Sequence, residues 1–300
     1  MIAKNRNYML VILIIVLCSG FTIAQDQSLR TKIAAIVDKA KGRIGIAIED
    51  LETTDTLSFN NNYQYPMQSV YKFPLALAIL NETEKGIFSL DQKVYLNKKD
   101  LHPNTWSPLR EKYPNGNINI TLRELLTYTV SESDNNGCDI LFRLIGGPDK
   151  VNQFIHNLGI SGISIVATEE EMHKDWSIQY KNWTVPMAMV NLLSKFAQDS
   201  ILSATNKDFL WKVMVSTVTG PDRIKGKLPE GTVVAHKTGS SGTDKNGIAA
   251  ATNDIGIVTL PNGRHYAIVV LISDSSDDEN VRDNIIADIS KAVWDYFLVD

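Results

Sequence analysis

Ser69 and Lys72 stand three positions apart in "MQSVYKFPLALAIL", residues 67–80, where a polar start runs into an apolar stretch. On a helix, residues three apart share a face, so both side chains point the same way. A serine hydroxyl is a weak nucleophile until a neighbour accepts its proton. A neutral lysine amine can take that proton; a charged one can stabilise the alkoxide or orient a partner base. The head of a helix adds unpaired N–H groups and a positive dipole end. Taken alone, the pair is more often a helix-start serine beside a solvated lysine.

Two more motifs follow in the chain. Ser133-Asp134-Asn135 lies in "VSESDNNG" and Lys237-Thr238-Gly239 in "AHKTGSSG". Each is weak by itself, and S-D-N is more often a turn. "ATEEEMHKDW" adds Glu169, Glu170 and Glu171, which alone read as a solvated acidic run. His102, His156, His236 and His265 have no metal-ligand spacing and are expected at the surface or in packing. His236 should face away from Lys237 on a strand. Cys138 is expected to pack at a helix start. Trp106, in a long polar loop, reads equally as a rim of the cleft or as local packing.

The elements that must position these residues are legible in the periodicity. "SLRTKIAAIVDKA" has Leu29, Ile33, Ile36 and Val37 at helical spacing. "RIGIAIED" and "DTLSFN" alternate like paired strands around the turn "LETT". From about Tyr65 to about Val215 the pattern is mostly helical. Thr121 caps "TLRELLTYTV" with Glu124 three residues on, Gly159 stops "KVNQFIHNLG", and Pro186 opens "PMAMVNLLSKFAQ". The chain then returns to strands in "GTVVAHKTG", "NGIAAATNDIGIVTL" and "RHYAIVVLI", the last two joined by Asn262-Gly263. In the final helix Val281, Ile285, Ile289, Val293 and Phe297 form a stripe expected to lie on a sheet.

Strands and helices at both ends flanking a helical middle point to one α/β domain with an all-helical domain inserted. The expected boundaries are 25–64 and 216–300 for the α/β part and 65–215 for the helical part. A cleft between such lobes is a usual small-molecule site. Consecutive separate domains would leave the first two strands without a sheet, and an isolated hairpin is marginal in water.

Residues 1–24 read as a secretory signal: Lys4 and Arg6, the apolar "YMLVILIIVLC", and small Thr22 and Ala24 before a cleavage site. A membrane anchor would need a longer run, about 20 residues. A lipoprotein would use Cys18, but Leu17 before it is bulky. The expected location is therefore the periplasm, with no stable membrane insertion after cleavage. Only Cys138 then remains, so no intramolecular disulfide or cysteine metal cluster can form. The net charge is −4 with mixed signs along the chain, which argues against a nucleic-acid partner.

S-x-x-K, S-D-N and K-T-G in this order are a known signature, and through it the mature chain resembles the class A serine β-lactamases. "MQSVYKFPLALA", "TVSESDNNGCDIL", "EEEMHKDW", "AHKTGSSG" and "GIAAATNDIG" resemble the VEB and PER extended-spectrum branch. The resemblance implies a β-lactamase/D,D-peptidase-like fold, an antiparallel sheet flanked by helices with an inserted helical domain. It implies a monomeric hydrolase of penicillins and cephalosporins, without cofactor or metal, that confers antibiotic resistance. Breadth towards oxyimino-cephalosporins and inhibition by clavulanate are further implications.

The roles it implies fall on matching positions. Ser69 is acylated, Lys72 helps move its proton, and Ser133 relays a proton to the leaving nitrogen. Lys237 holds Ser133 and attracts the substrate carboxylate, with Thr238 offering a hydroxyl. Asn135 bonds the substrate side-chain amide. The N–H groups of Ser69 and Ser240 form the oxyanion hole. Glu169 is selected as the deacylating base because it precedes Met172 by three and His173 by four.

Two departures stand out. The wider class has leucine and asparagine where this chain has Met172 and His173, so the deacylating water has a different anchor. Many members also carry an arginine on the strand after K-T-G; "GIAAATND" has none, and Arg223 in "TGPDRIKG" is the candidate replacement. Two rivals share the serine chemistry: a D,D-peptidase or other acyl transferase, and a penicillin-binding sensor domain that stays acylated. Glu169 favours the hydrolase over both.

Overall fold

The computed structural model describes residues 27–198 and 201–299, so the expected signal and its cleavage site lie outside the described residues. Helix α1 spans residues 27–37. Strands β1 (Arg43–Asp50) and β2 (Thr56–Phe59) pair antiparallel around the expected turn. After β3 (Tyr65–Pro66), a 3₁₀ turn (Gln68–Tyr71) runs into α2 (Lys72–Glu84). Then come β4 (Lys93–Leu96), α3 (Pro108–Lys112), β5 (Ile118–Thr121), α4 (Leu122–Ser131) and α5 (Asn135–Ile145). Next are α6 (Pro148–Asn157), β6 (Ile163–Ser164), α7 (Glu169–Met172) and β7 (Trp183–Thr184). The helical stretch ends with α8 (Pro186–Ala197) and α9 (Ala204–Val215). Strands β8 (Val234–Ser240), β9 (Ala249–Thr259) and β10 (His265–Ser275) precede α10 (Glu279–Phe297).

Both ends of the chain build one antiparallel sheet, in the order β2-β1-β10-β9-β8. Its two faces are set by the two-residue period of a strand. Ile44, Ile46 and Ile48 join Tyr266, Ile268, Val270 and Ile272 under α1 and α10. Ala47, Ala235, Ile255, Ile257, Ala267 and Val269 face the helical side, where α2 is the buried centre. Strand β8 is an edge strand. The open edge meets the helical part there, and that meeting line is the cleft.

The caps follow the sequence closely. The Thr121 hydroxyl accepts from Glu124 N at 3.1 Å, Pro186 opens α8, and Gly159 (φ +81°) and Gly263 (φ +86°) occupy left-handed turns. Glu124 does not close a capping box; its carboxylate accepts from the Tyr113 hydroxyl at 2.6 Å instead. The expected stripe on α10 is only partly right. Ile285, Ile289, Val293 and Phe297 are buried, but Val281 is 45% exposed. Four residues advance an α-helix by about 400°, so a strict four-step row drifts about 40° per step. The buried face instead takes in Ile286 and Ser290. Two small sheets, β3-β7-β6 and β4-β5, interrupt the helical stretch. Among the described residues no helix is long and apolar enough to cross a membrane.

Candidate active site

Ser69 sits in the 3₁₀ turn, not in the α-helix, and Lys72 is the first residue of α2. In a 3₁₀ turn residues three apart eclipse one another, so the pair still meets. Lys72 Nζ lies 3.0 Å from Ser69 Oγ, 2.8 Å from Ser133 O and 2.5 Å from Asn135 Oδ1. An ammonium has three N–H donors, and these three acceptors use them all. Glu169 Oε1, 3.0 Å from Nζ, is a fourth neighbour: close enough for charge attraction, without a directed donor of its own. Lys72 is fully buried and Glu169 nearly so.

The three consecutive glutamates separate cleanly. Thr168 and Glu171 form a capping box, with Thr168 N donating to Glu171 Oε2 at 2.9 Å. Glu170 is exposed, 3.8 Å from His102. Glu169 alone turns inward. Asp139 holds that turn: its two oxygens accept the Glu169 and Glu170 N–H groups at 2.8 and 2.9 Å. Burial, then the charge of Glu169, pushes the Asp139 carboxyl up to about 6. His173 Nδ1 donates to Glu169 O at 2.7 Å, which assigns the ring proton to Nδ1. All described peptide bonds of this loop are trans.

The opposite wall is β8. Lys237 Nζ donates to Ser133 Oγ at 2.8 Å and Thr238 O at 2.9 Å. Burial, then the neighbouring Lys72 charge, pushes the Lys237 amine well below its ordinary range. Ser133 holds a left-handed backbone (φ +58°), which turns its carbonyl to Lys72 and its hydroxyl to Lys237. Gly239 lets the turn that carries Ser69 reach the strand: a Cβ there would run into Met67 O and lie 3.0 Å from Val70 N. Ser241 N donates to Ala251 O on β9. Alternation then points Ser240 N away from β9, over the open edge towards Ser69. The Thr238 hydroxyl lies 2.5 Å from that of Thr219.

Arg223 is neither a surface residue nor open to the cleft. It is 3% exposed. Its guanidinium donates to Asp283 Oδ1 at 2.7 Å, Asn253 O at 3.1 Å and the Ser240 hydroxyl at 2.8 Å. It meets the cleft wall through the Ser240 hydroxyl and, more weakly, Gly239 O at 3.4 Å. Asn135 Nδ2 donates to Thr105 Oγ1 at 2.7 Å, which fixes the amide's orientation. The cleft holds a cavity of about 350 Å³ between Ser69, Asn135, Glu169, His173, Trp176 and Ser240.

Asp139, Thr105, Gln179 and Trp176 were not singled out by sequence. Asp139 had a signal, since four residues after Asn135 places it on the same helix face. Trp106 is exposed, but its indole N–H donates to Glu132 O at 2.8 Å, tying its loop to the S-D-N turn. Cys138 is buried in α5 near the Tyr71 hydroxyl, and burial pushes its thiol up. His156 bonds Ile163 O, and His265 meets the Trp211 ring edge-on. Among the described residues no group of histidine, cysteine and carboxylate side chains could hold a metal.

The model of the β-lactamase enzyme family matches residues 28–297. The chain belongs to that family. It is a class A serine β-lactamase, as its motifs implied. β-Lactamase VEB-1 of Pseudomonas aeruginosa is 48% identical, over 96% of this chain and 97% of that one. The extended-spectrum β-lactamase PER-1 of the same organism is 41% identical, over 95% and 93%. Among solved structures, the TLA-3 extended-spectrum β-lactamase superposes with a TM-score of 0.90 at 55% identity, covering 91% of this chain and 99% of that one. A β-lactamase from Chitinophaga pinensis gives 0.88 at 51%, over 89% and 98%. This β-lactamase therefore takes β-lactam substrates, and its fold is that of class A.

Proposed function

We propose that the enzyme hydrolyses penicillins and cephalosporins, oxyimino-cephalosporins included, through an acyl-enzyme on Ser69. Ser69 Oγ attacks the lactam carbonyl carbon and passes its proton to the Lys72–Glu169 pair. The N–H groups of Ser69 and Ser240 receive the oxyanion; a donor of that kind is worth roughly 3–4 kcal/mol. The C–N bond breaks, Ser133 protonates the leaving nitrogen with Lys237 beside it as its partner, and the proton held by the Lys72–Glu169 pair returns through Lys72 to Ser133, which leaves Glu169 free as a base. Two donors of Lys237 are taken within the protein, which leaves a third for the substrate carboxylate. Thr238 adds its hydroxyl. The second Nδ2 hydrogen of Asn135 serves the substrate's side-chain amide, and His173 lines the cavity on the water's side.

Deacylation is the step that separates a hydrolase from a peptidase or a sensor. One observation carries it: Glu169 Oε1 is buried beside Lys72 and has no directed donor. It can accept a proton from water as that water attacks the ester carbonyl; the ester C–O bond breaks and Ser69 regains its proton. The extended-spectrum relatives support including oxyimino substrates; sensitivity to clavulanate belongs to the same reading. Export to the periplasm through residues 1–24 and action as a monomer belong to the same reading. So do the boundaries 25–64 with 216–300 and 65–215.

Glu169→Gln tests it. Glutamine keeps the size but not the basicity, and a general base contributes about 10²–10⁴-fold. The variant should still acylate, then hold a stable adduct visible by intact-protein mass spectrometry. Glu170→Gln and Glu171→Gln should turn over a chromogenic cephalosporin nearly normally, and Ser69→Ala should form no adduct. An adduct trapped by Glu170→Gln, or by none of the three, would remove Glu169 as the base.

A further inference from the structure

The face of β8 turned away from the cleft carries a second buried polar group. His236 and Asp254 are both fully buried there. His236 Nδ1 lies 3.0 and 3.1 Å from the two Asp254 oxygens. The two residues are diagonal neighbours across the ladder, since His236 pairs with Gly256 and Thr238 with Asp254. Gly256 makes room for them: a Cβ there would lie 2.8 Å from His236 Cβ and 2.7 Å from Ala235 O. Asp254 Oδ2 also accepts the Ile224 N–H at 3.1 Å. Ile224 follows Arg223 in a tight turn closed by Gly226 N on Arg223 O at 2.8 Å. The Thr217 hydroxyl fastens the start of that segment to His236 O at 2.8 Å.

We propose that Asp254, oriented by His236, is a positioning residue for the carboxylate-binding end of the cleft. It fixes the turn that carries Arg223, and Arg223 fixes Ser240 on β8. The proposal rests on reading that end of the cleft as the carboxylate site. A carboxylate only accepts, so His236 must donate from Nδ1. Its Nε2 is then a bare acceptor, consistent with a buried atom that has no partner. An asparagine at 254 would set its amide N–H against either Ile224 N–H or His236 Nδ1–H. To escape, the ring would have to move its proton to Nε2, where no acceptor waits. Either way a buried N–H is left without an acceptor, and the seat of the turn is weakened.

Steady-state kinetics of Asp254→Asn, Arg223→Ala and the double variant on a chromogenic cephalosporin test this. Asp254→Asn is expected to raise KM about tenfold with kcat within about threefold, and Arg223→Ala to do the same. In the Arg223→Ala background, Asp254→Asn should add less than about twofold, because the effect runs through the arginine. Additive KM effects would overturn the inference while leaving the carboxylate reading intact. An unchanged KM in Arg223→Ala alone would remove that reading and the inference with it. Should Asp254→Asn not fold, His236 carries the test. His236→Gln keeps an N–H for Asp254 and should hold KM near the parent value, whereas His236→Leu should reproduce the rise. Equal KM values in these two would overturn it.

Discussion

Each wall of the cleft buries a lysine, and the two lysines live differently. Lys72, on the helical wall, has a carboxylate at 3.0 Å and all its donors occupied. Lys237, on the strand wall, touches no carboxylate among the described residues and spends its donors on Ser133 and Thr238. A buried charge without a partner is costly, and the Lys237 amine is correspondingly pushed down. The helical wall is thus electrostatically complete by itself, which suits the proton transfers proposed for it. The strand wall lacks one negative charge, which in the proposed function the substrate carboxylate would bring.

Lys237→Ala should break that contrast most visibly. A free-acid penicillin should lose about 10²–10³-fold in kcat/KM, mostly in KM, while a penicillin esterified at its carboxylate loses about tenfold or less. Equal losses on both would mean that Lys237 acts through Ser133 alone.

Asp139→Asn sharpens the helical wall. The carboxylate seats two N–H groups and an amide oxygen only one, so the loop under Glu169 should loosen and deacylation slow. Stability adds a signed check. The folded carboxyl titrates at about 6, against an ordinary 3.8, so between those values the folded chain holds the extra proton. Its contribution is fully present below about 4 and is lost as pH rises through about 6. Urea unfolding should therefore show the parent's advantage over Asp139→Asn shrinking from pH 4.5 to 7.5, by roughly 2 kcal/mol. A gap that widens with pH would contradict the burial of this charge.

The smallest effect is expected at His173→Asn. Asparagine can still reach a neighbouring carbonyl, but it lacks the imidazole's second nitrogen. A folded enzyme with deacylation changed by about three- to tenfold should result, measured by single-turnover kinetics. Parent rates on penicillin, oxyimino-cephalosporin and carbapenem substrates would leave His173 a packing residue.

Residue spacing made the chemistry legible because three motifs constrain one another, whereas each alone is common. The sheet and its hairpins were legible from long alternating runs. What escaped was short or relational. Two-residue strands such as β3 and β7 have no period to detect. Whether Ser69 sat in a 3₁₀ turn or an α-helix depends on a backbone hydrogen bond that spacing does not encode. That His236 faces away from Lys237 followed from alternation; that Asp254 awaits it there required the register of β9. Arg223, on the segment before β8, is held behind Ser240 through Asn253 O of β9, a contact that spacing does not encode either.

The edge position of β8 has a consequence for selectivity. Alternate residues of an edge strand present an N–H and a C=O to whatever lies alongside, as Ser240 does here. A ligand with one amide in an extended shape can lie against such an edge as a short additional strand would. Recognition of that kind reads the outline of a main chain and is indifferent to what hangs from it. Side-chain replacements along β8 other than at Lys237 should then shift preferences among β-lactams without abolishing the class, and a bulky acyl group need only find room beyond the edge, towards Trp176 and Gly242.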